Sequence, residues 1–177
     1  MISWLDRITR LNQEEISPRM DATNLTVLIA QAVEQCSRIW PGQRIVFAGR
    51  ESFFKVFGDG ELIRLALSQL LDQACKFAEP GSAVQVEIEA LGGAVVVRVS
   101  IEGNGIPYHD LDHVFERSYL GSRAPSFATG SGLGLYVGRK IAVAHGGTLD
   151  FDAERTGSDC VVFRLSLPRA NGQLDEQ

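Results

Sequence analysis

The chain has 177 residues, room for one ordinary domain, and 45% of them are apolar, enough to fill a core and to exclude a wholly disordered chain. A formal net charge of −5 with no basic run argues against a nucleic-acid partner, which is usually held by neutralising phosphates. The longest apolar run, Ala94-Val95-Val96-Val97, stops at Arg98, and Asp6 and Arg7 stand where a signal peptide would be apolar, so no direct membrane contact is expected. A cytoplasmic location follows, compatible with the soluble part of a membrane-bound receptor. Cys36, Cys75 and Cys160 are odd in number and far apart in sequence, which argues against a disulfide framework or a cysteine-based zinc site and for a reducing compartment.

Trp4, Leu5, Ile8 and Leu11 recur at helical spacing, a stripe that needs a partner surface, and Pro18 ends or interrupts that helix. A stronger helix places Leu25, Leu28, Ile29, Ala32, Val33 and Cys36 on one face, with Asn24 or Thr23 as N-cap and Pro41-Gly42 as stop. Two short strand-type runs follow, Arg44 to Phe47 and Ser52 to Phe57. Asp59 can then cap a helix that runs to about Phe77 with Leu62, Leu65, Ala66, Gln69, Leu70, Gln73 and Ala74 near one side. Trp40, Phe53, Phe54 and Phe57 read as core or sheet-face residues. After the turn at Glu79-Pro80-Gly81-Ser82, Val84, Val86 and Ile88 alternate with polar residues as in a half-buried strand. Gly92-Gly93 turns it into a second strand in which Val95, Val97, Val99 and Ile101 share a face.

Beyond Gly103-Asn104-Gly105 the pattern predicts a short helix around Leu111 to Phe115, then a stretch without periodicity from Ser118 to Ser131. Gly132-Leu133-Gly134-Leu135 opens a further helix that stops at Gly146-Gly147, with His145 capping its end. Two strands close the domain, Thr148 to Asp152 and Cys160 to Leu167, and the chain is polar and loose from Pro168 onward. Hairpins of strands with helices between them predict an α+β two-layer sandwich, a mixed and mostly antiparallel sheet with helices on one face.

Two glycine clusters carry the chemistry. Gly103-Asn104-Gly105-Ile106-Pro107 ends a strand, and Gly130-Ser131-Gly132-Leu133-Gly134-Leu135 opens a helix whose N–H groups and positive dipole end suit phosphate. Between and around them stand Lys76, Phe115-Glu116-Arg117 and His145-Gly146-Gly147. This order of blocks, over roughly Asp21 to Pro168, resembles the catalytic and ATP-binding domain of sensor histidine kinases, within the Bergerat-type ATPase group that includes gyrase and Hsp90. Residues 1–20 then resemble the end of a dimerisation helix with its linker, 21–168 the ATPase domain, and 169–177 a flexible tail. Glu15-Ile16-Ser17-Pro18 resembles the phosphoacceptor motif but has no histidine, so the phosphoacceptor belongs to another domain or chain.

The resemblance implies a set of nucleotide contacts. Gln69 and Gln73 occupy the helix positions where the family has asparagines that meet the nucleotide and its Mg²⁺, so Gln73 is the metal candidate, and Lys76 can neutralise phosphate. Gly132, Leu133, Gly134 and Leu135 form the phosphate cradle. The segment from Ser118 to Ser131 is a lid whose own cation is Arg123. Gly103 and Gly105 match the family's Asp-x-Gly-x-Gly turn, but the aspartate position, whose carboxylate accepts a hydrogen bond from the adenine amino group, holds Ile101. An amino group left unpaired costs roughly 1–3 kcal/mol, or on the order of tenfold to a hundredfold in affinity. Glu102 is acidic but sits on the opposite face unless a bulge rotates it. Gln in place of Asn adds a methylene where Mg²⁺ demands tight octahedral geometry. The gyrase and Hsp90 branch has a glutamate general base near Gln69, and none is present here. Two readings remain: a two-component signalling module whose nucleotide binding is weakened or lost and which acts in docking or regulation, or an active kinase that transfers the γ-phosphoryl group of ATP to a histidine of a dimerisation domain. In both, the partners are that phosphoacceptor domain and a response regulator.

Overall fold

The structure, a computed structural model, describes residues 4–103, 106, 108–117, 119, 132–157 and 159–170. The expected turns, caps and alternations position most of its elements. Helix α1 (Trp4–Gln13) is followed by strand β1 (Asp21–Asn24), helix α2 (Leu25–Ile39), strands β2 (Arg44–Phe47) and β3 (Lys55–Gly58), and helix α3 (Gly60–Phe77). Strands β4 (Ala83–Leu91) and β5 (Ala94–Glu102), helix α4 (Gly134–Ala144), and strands β6 (Thr148–Phe151) and β7 (Cys160–Pro168) complete the order. Asn24 caps α2 by accepting the Val27 N–H, and Asp59 caps α3 by accepting the N–H groups of Glu61 and Leu62, both at 3.1 Å. Each removes an orphan donor from a helix start.

One five-stranded sheet runs β2-β4-β5-β7-β6; β2 lies parallel to β4 and every other pair is antiparallel. Its inner face carries Val84, Val86, Val95, Val97, Val99, Phe163 and Leu165 against Leu25, Ile29, Ile63, Leu67 and Leu70 of the helices, all in one buried cluster. The outer face is polar, and at its centre Arg98 bonds Asp152 at 2.7 Å and pairs with Glu89. The α+β two-layer expectation therefore holds.

Several local expectations need correction. Asp21–Asn24, which carries no strand alternation, forms β1 by pairing antiparallel with β3, from Asp21 opposite Gly58 to Asn24 opposite Lys55. The predicted helix at Leu111 to Phe115 is instead a 3₁₀ turn at Tyr108–Asp110 followed by turns, in which the Asp110 carbonyl accepts the N–H groups of His113 and Val114. The apolar residues responsible for that pattern, Val114 and Phe115, are buried without a helix. Phe53 is neither core nor in a strand and is 64% exposed, whereas Phe57 lies on the small β1–β3 sheet and Trp40 and Phe54 pack on the core, as core or sheet-face residues should. The chain does not loosen at Pro168, because Arg169 N–H donates to Gly93 O and Ala170 N–H to Lys55 O; residues 171–177 lie outside the described residues. Cys36 and Cys75, 39 positions apart, meet in the core with their sulfurs 3.6 Å apart.

Leu11, of the apolar stripe of α1, has its partner surface. Leu11 and Ile16 pack on a cluster of Leu62, Ala66, Leu133, Val137 and Ile141, which belongs to α3 and to the start of α4. Lys140 Nζ donates to the carbonyls of Leu11 and Glu14, both at 2.9 Å, and so satisfies acceptors at the end of α1.

Candidate functional site

Three pieces of chain converge where the sequence places the site: the second half of α3, the end of β5, and the start of α4. Gln69 is buried, 8% exposed, and its amide lies directly beneath the first residue of α4; a Cβ on Gly134 would stand 2.6 Å from Gln69 Oε1. Glycine at 134 is therefore what lets α4 start against α3. Gly132 has φ +65°, a left-handed conformation that glycine adopts without strain. Leu133 precedes the helix without a side-chain capping bond, and Leu133, Gly134 and Leu135 are all buried. Leu133 and Leu135 are both buried and serve packing, Leu133 in the cluster under α1 and Leu135 in the main core.

The far end of α4 is held by different means. His145 is 2% exposed; its Nδ1 lies 2.7 Å from the Ile141 carbonyl and its Nε2 accepts the Asp59 N–H at 3.0 Å. A carbonyl at one nitrogen and an N–H at the other require the Nδ1–H tautomer. The ring thus links the end of α4 to the cap of α3, and a Cβ on Gly58 would stand 2.6 Å from its Cδ2. Gly146 takes φ +72° to end the helix, and a Cβ on Gly147 would overlap the Ser166 carbonyl oxygen. His145-Gly146-Gly147 is therefore a structural clamp, as its place at the helix end suggested.

Of the other site residues, Gln73 is half-buried one turn beyond Gln69 on α3. Lys76 ion-pairs with Asp72 at 2.8 Å, and the other Asp72 oxygen accepts Trp40 Nε1–H at 2.9 Å. Its charge is thus already matched within α3. That partner was visible as an Asp–Lys spacing of four on a helix. Ile101 is fully buried in the main core. The β5–β7 register runs unbroken from Ala94 opposite Pro168 to Glu102 opposite Cys160, so no bulge turns Glu102 inward, and Glu102 is exposed. Gly103 has φ +96°, donates its N–H to Asp159 O at 2.8 Å, and leaves room for the Glu79 carboxylate, which fills the space a Cβ would take. Contact of Glu79 with Gly103 had no sequence signal, because it joins two loops 24 positions apart. Gly105 and Arg123 lie outside the described residues.

At the start of α4, two glycines flank a helix N-terminus that has no side-chain cap. At the end of β5, Ile101 is aliphatic, sealed in the core, and carries no hydrogen-bond acceptor. Gln73 offers one neutral amide oxygen to a cation, and among the described residues no three His, Cys, Asp or Glu gather as a metal site.

Comparison with known proteins agrees with the geometry. The model of the family described as histidine kinase-, DNA gyrase B- and HSP90-like ATPase matches residues 58–170. The chain is 32% identical over 171 residues to the sensor-like histidine kinase SenX3 of Mycobacterium tuberculosis, covering 95% of this chain and 41% of that protein. It is 28% identical over 170 residues to the sensor protein KdpD of Clostridium acetobutylicum, covering 96% of this chain and 19% of that protein. The chain thus spans less than half the length of these relatives. Among solved structures, the mycobacterial sensor histidine kinase MprB superposes with TM-score 0.71 at 25% identity, covering 85% of this chain and 98% of that one. The full-length kinase ShkA, solved in complex with AMPPNP, shares the fold at TM-score 0.75 and 21% identity, covering 97% of this chain and 35% of that one. Among the described residues no helix is long and apolar enough to cross a membrane. The chain belongs to the histidine kinase-, DNA gyrase B- and HSP90-like ATPase family and is a relative of the ATP-binding domains of sensor histidine kinases.

Proposed function

We propose that this histidine-kinase ATP-binding domain works in two-component signalling with weakened or lost nucleotide binding, and that it acts by docking or regulation on a dimerisation and phosphoacceptor domain and, through it, a response regulator. Residues 1–20 are then the end of the dimerisation helix and its linker, and 21–168 the ATPase domain. The observation that carries this reading is Ile101, fully buried at the position where the family resemblance implies an acceptor for the adenine amino group, with Glu102 turned away from it. The loss of that one hydrogen bond is worth about tenfold to a hundredfold in affinity.

A second reading, an active kinase, is favoured by one feature: the glycine-flanked start of α4, a helix N-terminus without a side-chain cap. Thermal unfolding in the presence of Mg-ATP and Mg-ADP separates the two. A ligand present at a hundred times its Kd stabilises the fold by about 2.7 kcal/mol, so tight binding is readily seen. The weakened pocket gives little shift at millimolar nucleotide, and Ile101→Asp increases the shift. Because a carboxylate at this buried position costs stability, Ile101→Asn supplies an uncharged acceptor as a second variant. A saturable shift of the unaltered chain at micromolar Mg-ATP would overturn the weakened-pocket reading.

A further inference from the structure

The nucleotide reading uses neither Cys36 nor Cys75, yet these two thiols touch. Cys36 lies in the last turn of α2 and Cys75 in α3, between Gln73 and Lys76; they are 2% and 5% exposed and their sulfurs stand 3.6 Å apart. A disulfide needs about 2.05 Å, so a closure of roughly 1.5 Å, within reach of side-chain rotation and a small shift of one helix turn, joins them. We propose that Cys36 and Cys75 are a redox-modification site, which a hydroperoxide converts to an intrachain disulfide that ties α2 to the helix bearing Gln69, Gln73 and Lys76.

Surroundings assign the roles. The two thiols share one hydrogen bond, which holds the Cys36 thiol below its usual range and, together with burial, pushes Cys75 up. Cys36 is thus the attacking sulfur. Its thiolate attacks the terminal oxygen of the hydroperoxide; the O–O bond breaks, an alcohol leaves with the proton Cys36 gave up, and Cys36 becomes a sulfenic acid. Cys75 sulfur then attacks Cys36 sulfur: the S–S bond forms, the S–O bond breaks, and hydroxide departs with the Cys75 proton as water. Two thiols lose two electrons and two protons, and the hydroperoxide is reduced to alcohol and water.

The structure also supplies the way in. The Cys36 carbonyl accepts the Trp40 N–H at the end of α2, and Trp40 Nε1–H is fixed to Asp72. Opening of this single terminal turn uncovers Cys36 while the rest of the core stays closed. Cys160 is different: it is half-buried at the start of β7, and burial and then Glu102 push its thiol up.

The full chain and a Cys160→Ser variant, treated with hydrogen peroxide, quenched with N-ethylmaleimide in denaturant and mapped by mass spectrometry, decide the matter. The expected product has lost two hydrogen masses and yields a Cys36 peptide joined to a Cys75 peptide, in both proteins. Its Tm rises by about 5 °C and returns on reduction, and Trp40→Phe, which keeps the ring but not the bond to Asp72, oxidises several-fold faster. Recovery of Cys36 and Cys75 as free alkylated thiols, or as sulfinic acids without a cross-link, would overturn the proposal. The assay contains no nucleotide, so its outcome is independent of whether the pocket binds ATP.

Discussion

The two ends of α4 are built in opposite ways. At its C-terminal end His145 bonds both Ile141 and Asp59, Gly146 turns the chain at φ +72°, and Gly147 lets the Ser166 carbonyl pass where a side chain would stand. At its N-terminal end Leu133 supplies no side-chain cap, and Gly134 rests on Gln69. Among the described residues α4 is therefore held by side-chain hydrogen bonds at its C-terminal end and by packing alone at its start. Glycine is needed for close packing at both ends, against the Gln69 amide at one and the Ser166 carbonyl at the other.

The comparison can be broken at either end, beginning with the clamped one. Gly147→Ala drives a methyl into the Ser166 carbonyl and is expected to cost about 3 kcal/mol, measured by urea unfolding. His145→Ala leaves the Asp59 N–H without its acceptor and opens a cavity, an expected loss of roughly 2–3 kcal/mol in the same assay. At the uncapped end, Gly134→Ala displaces only the flexible tip of Gln69 and should change stability by less than about 1 kcal/mol. Because the methyl displaces the Gln69 amide beneath the helix start, tripolyphosphate binding measured by calorimetry should weaken. Comparable stability losses from Gly134→Ala and Gly147→Ala would mean that the two ends are not different in kind.

The outer sheet face gives a smaller, pH-dependent effect. The hydrogen bond from Arg98 holds the Asp152 carboxyl below the usual carboxylate range. A carboxylate whose pKa is depressed by folding contributes stability that is fully present above its unfolded pKa and is lost as the pH falls through the folded value. Wild-type stability should therefore fall more steeply between about pH 5 and about pH 3 than that of Asp152→Asn, with equilibrium unfolding at several pH values as the measurement. Parallel profiles would show that Asp152 is not paired in solution.

Much of the scaffold was legible because its signals are local. Asn24 and Asp59 read as caps, Gly92-Gly93 as a hairpin, and the parity of Val95, Val97, Val99 and Ile101 already placed Ile101 inside. What was not legible depends on partners distant in sequence. Asp21–Asn24 is a strand only because Lys55–Gly58 lies beside it, and the parallel β2–β4 pair needs the whole of α3 as its crossover. Val114 and Phe115 mimic a helical stripe because their burial is set by the sheet, where Phe115 packs edge-on against Phe151 and Phe163. In the site, the glycines and the missing acceptor could be read from the chain, and so could the Asp72–Lys76 pair at helical spacing. The Cys36–Cys75 contact, the Glu79 carboxylate against Gly103 and the Lys140 bonds to α1 could not, since each joins residues that only the fold brings together.

The most direct test of a purine site without its acceptor compares two nucleotides that differ only along the amino edge of the base, at the six-position and the adjoining ring nitrogen. Mg-ATP and Mg-ITP carry the same triphosphate, and inosine has an oxygen where adenine has the amino group. With Ile101 in place, calorimetry should give weak or undetectable binding and a Kd ratio within about threefold of one, while Ile101→Asp or Ile101→Asn shifts the preference toward ATP. Micromolar binding of Mg-ATP by the unaltered chain, with a preference over Mg-ITP of tenfold or more, would contradict it.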